Sequence, residues 1–146
     1  MTKTIWFDMD GTIADLYNVN NWLAMLRAYD ATPYIQAKPM LNMSRLARLL
    51  HKAQARGWRV GIVSWLSKEP TASYDIEVTQ AKASWLKKHL PSVKWDEIQI
   101  VAHGTPKQNF ATSSYDILFD DEEKNRLTWT GKAYEPNQIY EILLNI

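Results

Sequence analysis

The sequence contains no cysteine among its 146 residues. That absence excludes disulfides and thiolate metal sites, so any metal ligand must be oxygen or nitrogen. No apolar run approaches the roughly 18 residues that a membrane span requires. The opening segment MTKTIWFDMDGT also lacks the apolar stretch of a secretory signal. We therefore expect a soluble, cytoplasmic protein without a membrane partner.

The chain also lacks an excess of either charge, since 17 basic and 16 acidic residues leave a formal net charge of +1. A general nucleic-acid-binding surface is normally markedly basic, so this balance argues against one. No internal repeat, low-complexity tract or interdomain linker is evident. The length is typical of one domain, and residues 1–146 are predicted to form a single unit.

Short apolar segments alternate with segments of helical periodicity along most of the chain. The predicted strands are residues 2–7, 58–63, 98–102, 115–119 and 132–134. The predicted helices are residues 19–29, 41–56, 76–89, 107–111, 122–127 and 136–144, with loops at 31–39 and 67–74. This alternation indicates the α/β class, with a three-layer, Rossmann-like parallel sheet covered by helices on both faces.

Residues 14–40 interrupt this alternation directly after the first predicted strand. They contain one helical pattern and a segment with two prolines rather than a second strand. An insertion at that point lies next to the carboxyl end of the first strand, where ligands bind in such sheets. We predict that it forms a small cap over the site.

Acidic and hydroxyl side chains follow several of the predicted strands. Asp8 and Asp10 follow the first strand, Ser64 follows the second, and Asp120 and Asp121 follow the fourth. Because parallel strands share one carboxyl edge, these side chains are expected to meet there.

Carboxylates that gather in this way repel one another, and without a cation one of them would take up a proton. Ligand sets made only of oxygen suit magnesium, which also offsets the negative charge of a phosphate group. The sequence therefore predicts a Mg²⁺ site that uses Asp8, Asp10, Asp120 and Asp121.

The spacing of Asp8 and Asp10 is suited to phosphate-ester hydrolysis. Residues i and i+2 of an extended segment point to the same side, so both carboxylates face one substrate. Asp8 is predicted to attack phosphorus, while Asp10 protonates the leaving oxygen and later deprotonates the attacking water. Gly11 permits a sharp turn, and the Thr12 hydroxyl is placed to hydrogen-bond nearby groups, so both are predicted to contact the substrate phosphate.

Further residues near this edge are candidates for phosphate binding. Ser64 offers a hydroxyl group to phosphate oxygens, and Lys107 offers a positive charge to the transition state. Lys68 is an alternative for the lysine role. Trp65 is predicted either to stack on a flat substrate group or to pack within the protein, and His103 follows the third strand without an assigned role.

These residues resemble the motifs of the haloacid-dehalogenase-like (HAD) superfamily of phosphohydrolases. Residues 6–12, WFDMDGT, resemble its first motif, an apolar strand followed by DxDGT. Residues 61–64, GIVS, are similar to the second motif, and residues 117–121, ILFDD, to the fourth. Lys107 stands where the lysine of the third motif is expected. The likeness extends from Lys3 to about Arg126.

The resemblance implies a function for each matched position. Asp8 would be the nucleophile and Asp10 the general acid and base. Mg²⁺ would be bound by the Asp8 side chain, by the Asp10 backbone carbonyl and by the acidic pair Asp120 and Asp121. The short insertion resembles the small cap of 5′(3′)-deoxyribonucleotidase-like members, which implies a nucleotide or a similar small phosphate as substrate.

Two alternatives remain open from the sequence. A small cap would leave the site accessible to a phosphorylated end of DNA or RNA, although this partner is not favoured. A protein with this fold could also bind ligands for regulation without catalysing a reaction.

The role of Asp121 is also open, because its side chain could cap the following helix instead of binding a metal. The oligomeric state is not predicted.

Overall fold

The computed structural model describes residues 2–68 and 71–146. The strands are β1 Thr4–Phe7, β2 Ala14–Asp15, β3 Lys38–Pro39, β4 Arg59–Trp65, β5 Glu97–Val101, β6 Ile117–Phe119 and β7 Lys132–Tyr134. The α-helices are α1 Trp22–Arg27, α2 Thr32–Gln36, α3 Met43–Ala55, α4 Ala72–His89, α5 Glu123–Leu127 and α6 Ile139–Leu144. Short 3₁₀ turns span Leu16–Asn18, Lys107–Phe110 and Pro136–Gln138. Within the described ranges, no helix is both long enough and apolar enough to cross a bilayer.

Five strands form a central parallel sheet in the order β5-β4-β1-β6-β7. The central strand β1 pairs with β4 on one side and β6 on the other, so that Ile5 lies opposite both Val60 and Ile117. All four residues of β1 are buried, as expected for a parallel strand covered on both faces. The predicted α/β, Rossmann-like class is confirmed.

The side chains of β1 alternate between the two faces of this sheet. Ile5 and Phe7 belong to the larger core cluster, to which α3, α4 and α6 contribute. Trp6 points to the other face, where it packs with Trp129 and the partly buried Phe110. Both faces of the sheet are therefore covered, which gives the three layers that the sequence predicted.

Asp116, directly before β6, ties the amino ends of the central strands together. Its carboxylate is fully buried and accepts hydrogen bonds from Thr4 N at 2.8 Å and Trp6 Nε1 at 3.0 Å. Thr112 donates to the same carboxylate through its backbone nitrogen and its hydroxyl group. Because a charged acceptor strengthens each of these bonds, Asp116 should contribute strongly to stability.

We expect Asp116→Ala to lower the free energy of unfolding by at least about 3 kcal/mol, because it leaves several buried donors without an acceptor. Urea denaturation monitored by tryptophan fluorescence measures the change. Ser113→Ala is the control, since Ser113 Oγ donates to the same carboxylate only at 3.4 Å and its loss should cost less than about 1 kcal/mol. Equal losses in the two variants would contradict this account of Asp116.

The insertion after β1 is folded rather than irregular. Its ends are joined by β2 and β3, which pair antiparallel with Ala14 opposite Pro39. The predicted loop at residues 31–39 is wrong, because this segment contains α2 and β3. Pro33 lies in the first turn of α2, where a missing backbone N–H costs nothing. The proline that suggested a loop is therefore compatible with a helix start.

Several predicted boundaries also differ from the structure. The second strand of the sheet, β4, continues through Trp65 instead of ending at residue 63. The helix predicted at residues 19–29 is limited to α1. The predicted loop at 67–74 includes residues 69 and 70, which lie outside the described residues. After them α4 already begins at Ala72, because the Thr71 side chain caps it by accepting a hydrogen bond from Tyr74 N.

Candidate active site

The carboxyl edge of the sheet brings together three acidic side chains from the two central strands. Phe7 of β1 is paired with Phe119 of β6, so the next residues, Asp8 and Asp120, emerge side by side. Carboxylate oxygens of Asp8, Asp120 and Asp121 all lie within 4.8 Å of one another. The structure thus places these three predicted metal ligands in one cluster.

Lys107 lies directly against this cluster. Its Nζ donates to Asp8 Oδ1 at 2.8 Å and to Asp120 Oδ2 at 2.7 Å. Burial alone would lower the pKa of Lys107, but the two carboxylates outweigh it and raise that pKa, so the amine stays charged. Lys68, the alternative lysine, is an exposed residue at the rim of the same pocket.

The acidic pair after β6 retains protons more readily than ordinary aspartates do. Burial, followed by the nearby Asp8 charge, raises the pKa of Asp120 to about 6. The same two causes raise the pKa of Asp121 to about 8. A cation bound among these carboxylates would relieve both effects, because it compensates for the lost hydration and the repulsion.

These pKa values predict that Mg²⁺ stabilises the protein more at high pH. Both folded-state values exceed the ordinary value of 3.8, so the folded protein holds protons that the unfolded chain releases. The stabilisation of the folded state by these bound protons is fully present below pH 3.8. It is lost as the pH rises through about 6, the pKa of Asp120, and then about 8, the pKa of Asp121. Since the metal competes with these protons, Mg²⁺ should raise the melting temperature more at about pH 9 than at about pH 5.

Thermal melts of the metal-stripped protein, with and without added Mg²⁺, measure this difference at each pH. In Asp121→Asn the amide cannot titrate, so the contrast between the two pH values should shrink. A Mg²⁺-induced shift that is equal or larger at the acidic pH would contradict the prediction.

Gly11 and Thr12 bring the first strand's loop close to Asp121. Gly11 has a φ of +79°, and a Cβ at that position would overlap the Asp121 carboxylate. The Thr12 hydroxyl donates to Asp8 Oδ2 at 2.8 Å and accepts from Asp121 N at 3.2 Å. Both residues, predicted to contact substrate, therefore act in this structure by fixing the nucleophile candidate and the acidic pair relative to each other.

Asp10 and Ser64 are joined by a lysine that the sequence analysis did not identify. Lys82 Nζ lies 2.9 Å from Asp10 Oδ2 and 2.7 Å from Ser64 Oγ. Burial raises the pKa of Asp10, and the Lys82 charge opposes that rise. Lys82 thus holds one oxygen of the Asp10 carboxylate, and this carboxylate is not part of the cluster formed by Asp8, Asp120 and Asp121; the resemblance assigned the Asp10 backbone carbonyl to the metal.

A pocket of about 360 Å³ opens above these groups. The insertion contributes an aromatic wall to it, formed by Tyr17, Trp22 and Tyr34. Trp65 and His103 also line it; their ring centroids lie 4.8 Å apart, and Trp65 Nε1 donates to Thr105 O. The pocket is therefore lined by both charged and aromatic side chains.

Sequence reasoning missed three features of this site: Lys82, the aromatic wall and Asn125. Asn125 Nδ2 donates to Asp120 Oδ2 at 3.1 Å and is buried. It stands five residues after Asp120 in the helix predicted at residues 122–127, but no pattern in the sequence links the two side chains. Lys82 carried a usable signal, because it lies on the same helical stripe as Val78 and Trp85 of α4.

Comparison with known proteins establishes the fold. No protein-family model and no curated protein matches the chain. Among solved structures it is similar to a D,D-heptose 1,7-bisphosphate phosphatase from Burkholderia thailandensis, with a TM-score of 0.53 and 12% sequence identity. The likeness covers 86% of this chain and 70% of that one. The likeness therefore supports the Rossmann-like α/β fold that the sequence predicted.

Proposed function

We propose that this protein is a magnesium-dependent phosphomonoester hydrolase that acts through an aspartyl-phosphate on Asp8. The observation that carries the proposal is the cluster of Asp8, Asp120 and Asp121, with oxygens within 4.8 Å of one another, beside the buried Lys107. The phosphatase named above, with its similar fold, supports the same general activity. The short insertion resembles the small cap of 5′(3′)-deoxyribonucleotidase-like proteins. That resemblance supports a nucleotide or a similar small phosphate as the substrate.

The residues at this edge fit a magnesium ion. Asp8, Asp120 and Asp121 supply oxygen ligands, and the raised pKa values of the acidic pair show how poorly these charges coexist without a cation. The Asp10 backbone carbonyl would complete the set of ligands that the protein supplies to the ion. When bound, Mg²⁺ would neutralise phosphate charge and so allow an anionic nucleophile to approach.

In the first half-reaction the Asp8 carboxylate attacks phosphorus and the bond to the leaving oxygen breaks. Asp10 gives its proton to that oxygen, so an alcohol departs and an aspartyl-phosphate remains. Lys107 and Ser64 are placed to stabilise the negative charge on the phosphoryl oxygens. The Lys107 ammonium already lies 2.8 Å from Asp8 Oδ1, so it is beside the new bond.

In the second half-reaction Asp10, now a carboxylate, takes a proton from water. The water oxygen attacks phosphorus, the bond to Asp8 breaks, and inorganic phosphate leaves. Asp8 is again a free carboxylate and Asp10 is again protonated. The overall reaction consumes one water for each ester, and no other reactant is required.

The shape of the pocket favours a small phosphate ester with a flat organic group. Tyr17, Trp22 and Tyr34 of the insertion line the same pocket as the carboxylates, together with Trp65 and His103. Aromatic rings of this kind stack on nucleobases without selecting one base strongly. We assign the insertion the role of a cap, and a nucleotide or similar small phosphate is the proposed substrate.

A substrate panel tests this function. Nucleoside monophosphates, sugar phosphates, p-nitrophenyl phosphate and 5′-phosphorylated oligonucleotides are each incubated with Mg²⁺ or with EDTA, and released phosphate is measured. We expect release only with Mg²⁺ and the highest kcat/KM for nucleoside monophosphates. A preference for oligonucleotides would overturn the small substrate but keep the activity. No release from any compound would overturn the hydrolase and favour a binding module.

A further inference from the structure

Lys82 is a buried ammonium group whose hydrogen bonds all go to the candidate active site. It projects from α4 and is 1% exposed. Its three bonds reach Asp10 Oδ2 at 2.9 Å, Ser64 Oγ at 2.7 Å and the Trp65 carbonyl at 2.7 Å. An ammonium has three donors, so every one of them is used.

The first consequence concerns the direction of the Ser64 hydroxyl. Lys82 has no acceptor, so in this contact the Ser64 oxygen must accept. Its own proton is then left for another partner, and within the described residues the hydroxyl makes no second hydrogen bond. Ser64 is therefore set to donate, which is the role that a phosphate oxygen requires.

The second consequence concerns the orientation of Asp10. Lys82 holds only the Oδ2 atom of that carboxylate, so Oδ1 stays available for proton transfer. The Tyr34 ring, whose centroid lies 5.1 Å from Lys82 Nζ, covers the ammonium from the side of the insertion. This enclosure keeps the contact strong, because water is excluded and the local dielectric is low.

We propose that Lys82 is a positioning residue, which holds the Asp10 carboxylate and directs the Ser64 hydroxyl for phosphoryl transfer. This inference rests on the proposed hydrolase function. It is separate from the role of Lys107, which contacts Asp8 and Asp120 instead. Lys107 thus contacts the nucleophile candidate Asp8, whereas Lys82 contacts the acid–base candidate Asp10.

The test compares leaving groups in single-turnover reactions of Lys82→Met, which replaces the ammonium by an apolar chain of similar length. Phenolate needs protonation by Asp10, whereas p-nitrophenolate departs readily without it. We expect phenol release from phenyl phosphate to slow about 100-fold, in line with a loss of general acid catalysis. Release of p-nitrophenol should slow by only about 10-fold, through the misdirected Ser64 hydroxyl.

A double-mutant cycle with Asp10→Asn shows whether Lys82→Met slows the reaction through Asp10. In the Asp10→Asn background the loss caused by Lys82→Met should be the same for both substrates, because no acid remains to be positioned. Lys87→Met, an exposed lysine on the same helix, is the control and should leave both rates unchanged. Lys82→Gln, which retains a donor, should give intermediate losses and serves as the test if Lys82→Met does not fold.

The outcomes separate this inference from the proposed function. If the wild-type protein releases no phosphate, the function itself fails. If it is active and Lys82→Met slows both leaving groups equally, or keeps its selective loss in the Asp10→Asn background, Lys82 is only structural and the inference fails.

Discussion

Asp8→Asn should lower Mg²⁺-dependent phosphate release at least about 10⁴-fold, because the amide nitrogen is not a nucleophile and no aspartyl-phosphate can form. The asparagine should fit in the same place, since its side-chain oxygen can accept from Lys107 Nζ as Asp8 Oδ1 does, while its amide donates to the Thr12 hydroxyl, which reverses the bond that Thr12 makes to Asp8 Oδ2. Replacing the carboxylate also removes one charge from a crowded cluster. The variant should therefore remain folded while it loses activity.

Initial rates with p-nitrophenyl phosphate measure the loss, and mass spectrometry after an acid quench detects phosphate on Asp8 in the wild type only. Asp30→Asn is the matched control, because Asp30 is an exposed aspartate of the insertion and its amide oxygen can still accept from Thr32. That control should keep full activity. Wild-type rates in Asp8→Asn would show that another group attacks the phosphorus.

Lys107→Met should lower kcat about 10³-fold, comparable to the removal of one strong stabilising donor from a transition state. Lys107 is 4% exposed, and its ammonium bridges Asp8 and Asp120. Without it, charge that develops on the phosphoryl group during transfer would have no nearby protein cation on that side. Binding of Mg²⁺ should survive, because the three clustered carboxylates remain.

Lys68→Met provides the comparison for this second experiment, since Lys68 lines the same pocket from an exposed position. We expect it to raise KM modestly and leave kcat near the wild-type value, because an exposed charge is screened by solvent. Steady-state kinetics of both variants decide between the two lysines. A larger loss of kcat in Lys68→Met than in Lys107→Met would reverse the assignment.

The central part of the site was predictable because each residue follows a buried strand. A strand of apolar residues that stops at a carboxylate indicates both the parallel sheet and the edge at which the carboxylate lies. Asp8 and Asp120 could therefore be expected to meet from their strand patterns alone. Lys107 was identified by its resemblance to the lysine of the third motif, and the structure shows it in contact with both aspartates.

The parts that were missed depend on tertiary contacts. Lys82 occupies a position on the inward stripe of α4, but a lysine in a helical pattern is normally interpreted as a solvated residue. What makes the position polar is its partner Ser64, on a strand 18 residues earlier. The helix α2 was missed for a different reason, since Pro33 is a breaker within a helix but is well tolerated in its first turn.

The pairing of β1 with β6 has a consequence for the order in which the molecule is built. Thr4 and Asp116, which are 112 residues apart, are hydrogen-bonded across this pair, and contacts at such separations form slowly during folding. On the ribosome the first strand emerges long before β6, since synthesis proceeds at about 5–20 residues per second. Asp8 therefore cannot meet Asp120 until β6 has been synthesised and paired with β1, so the candidate site forms well after its first aspartate has left the ribosome.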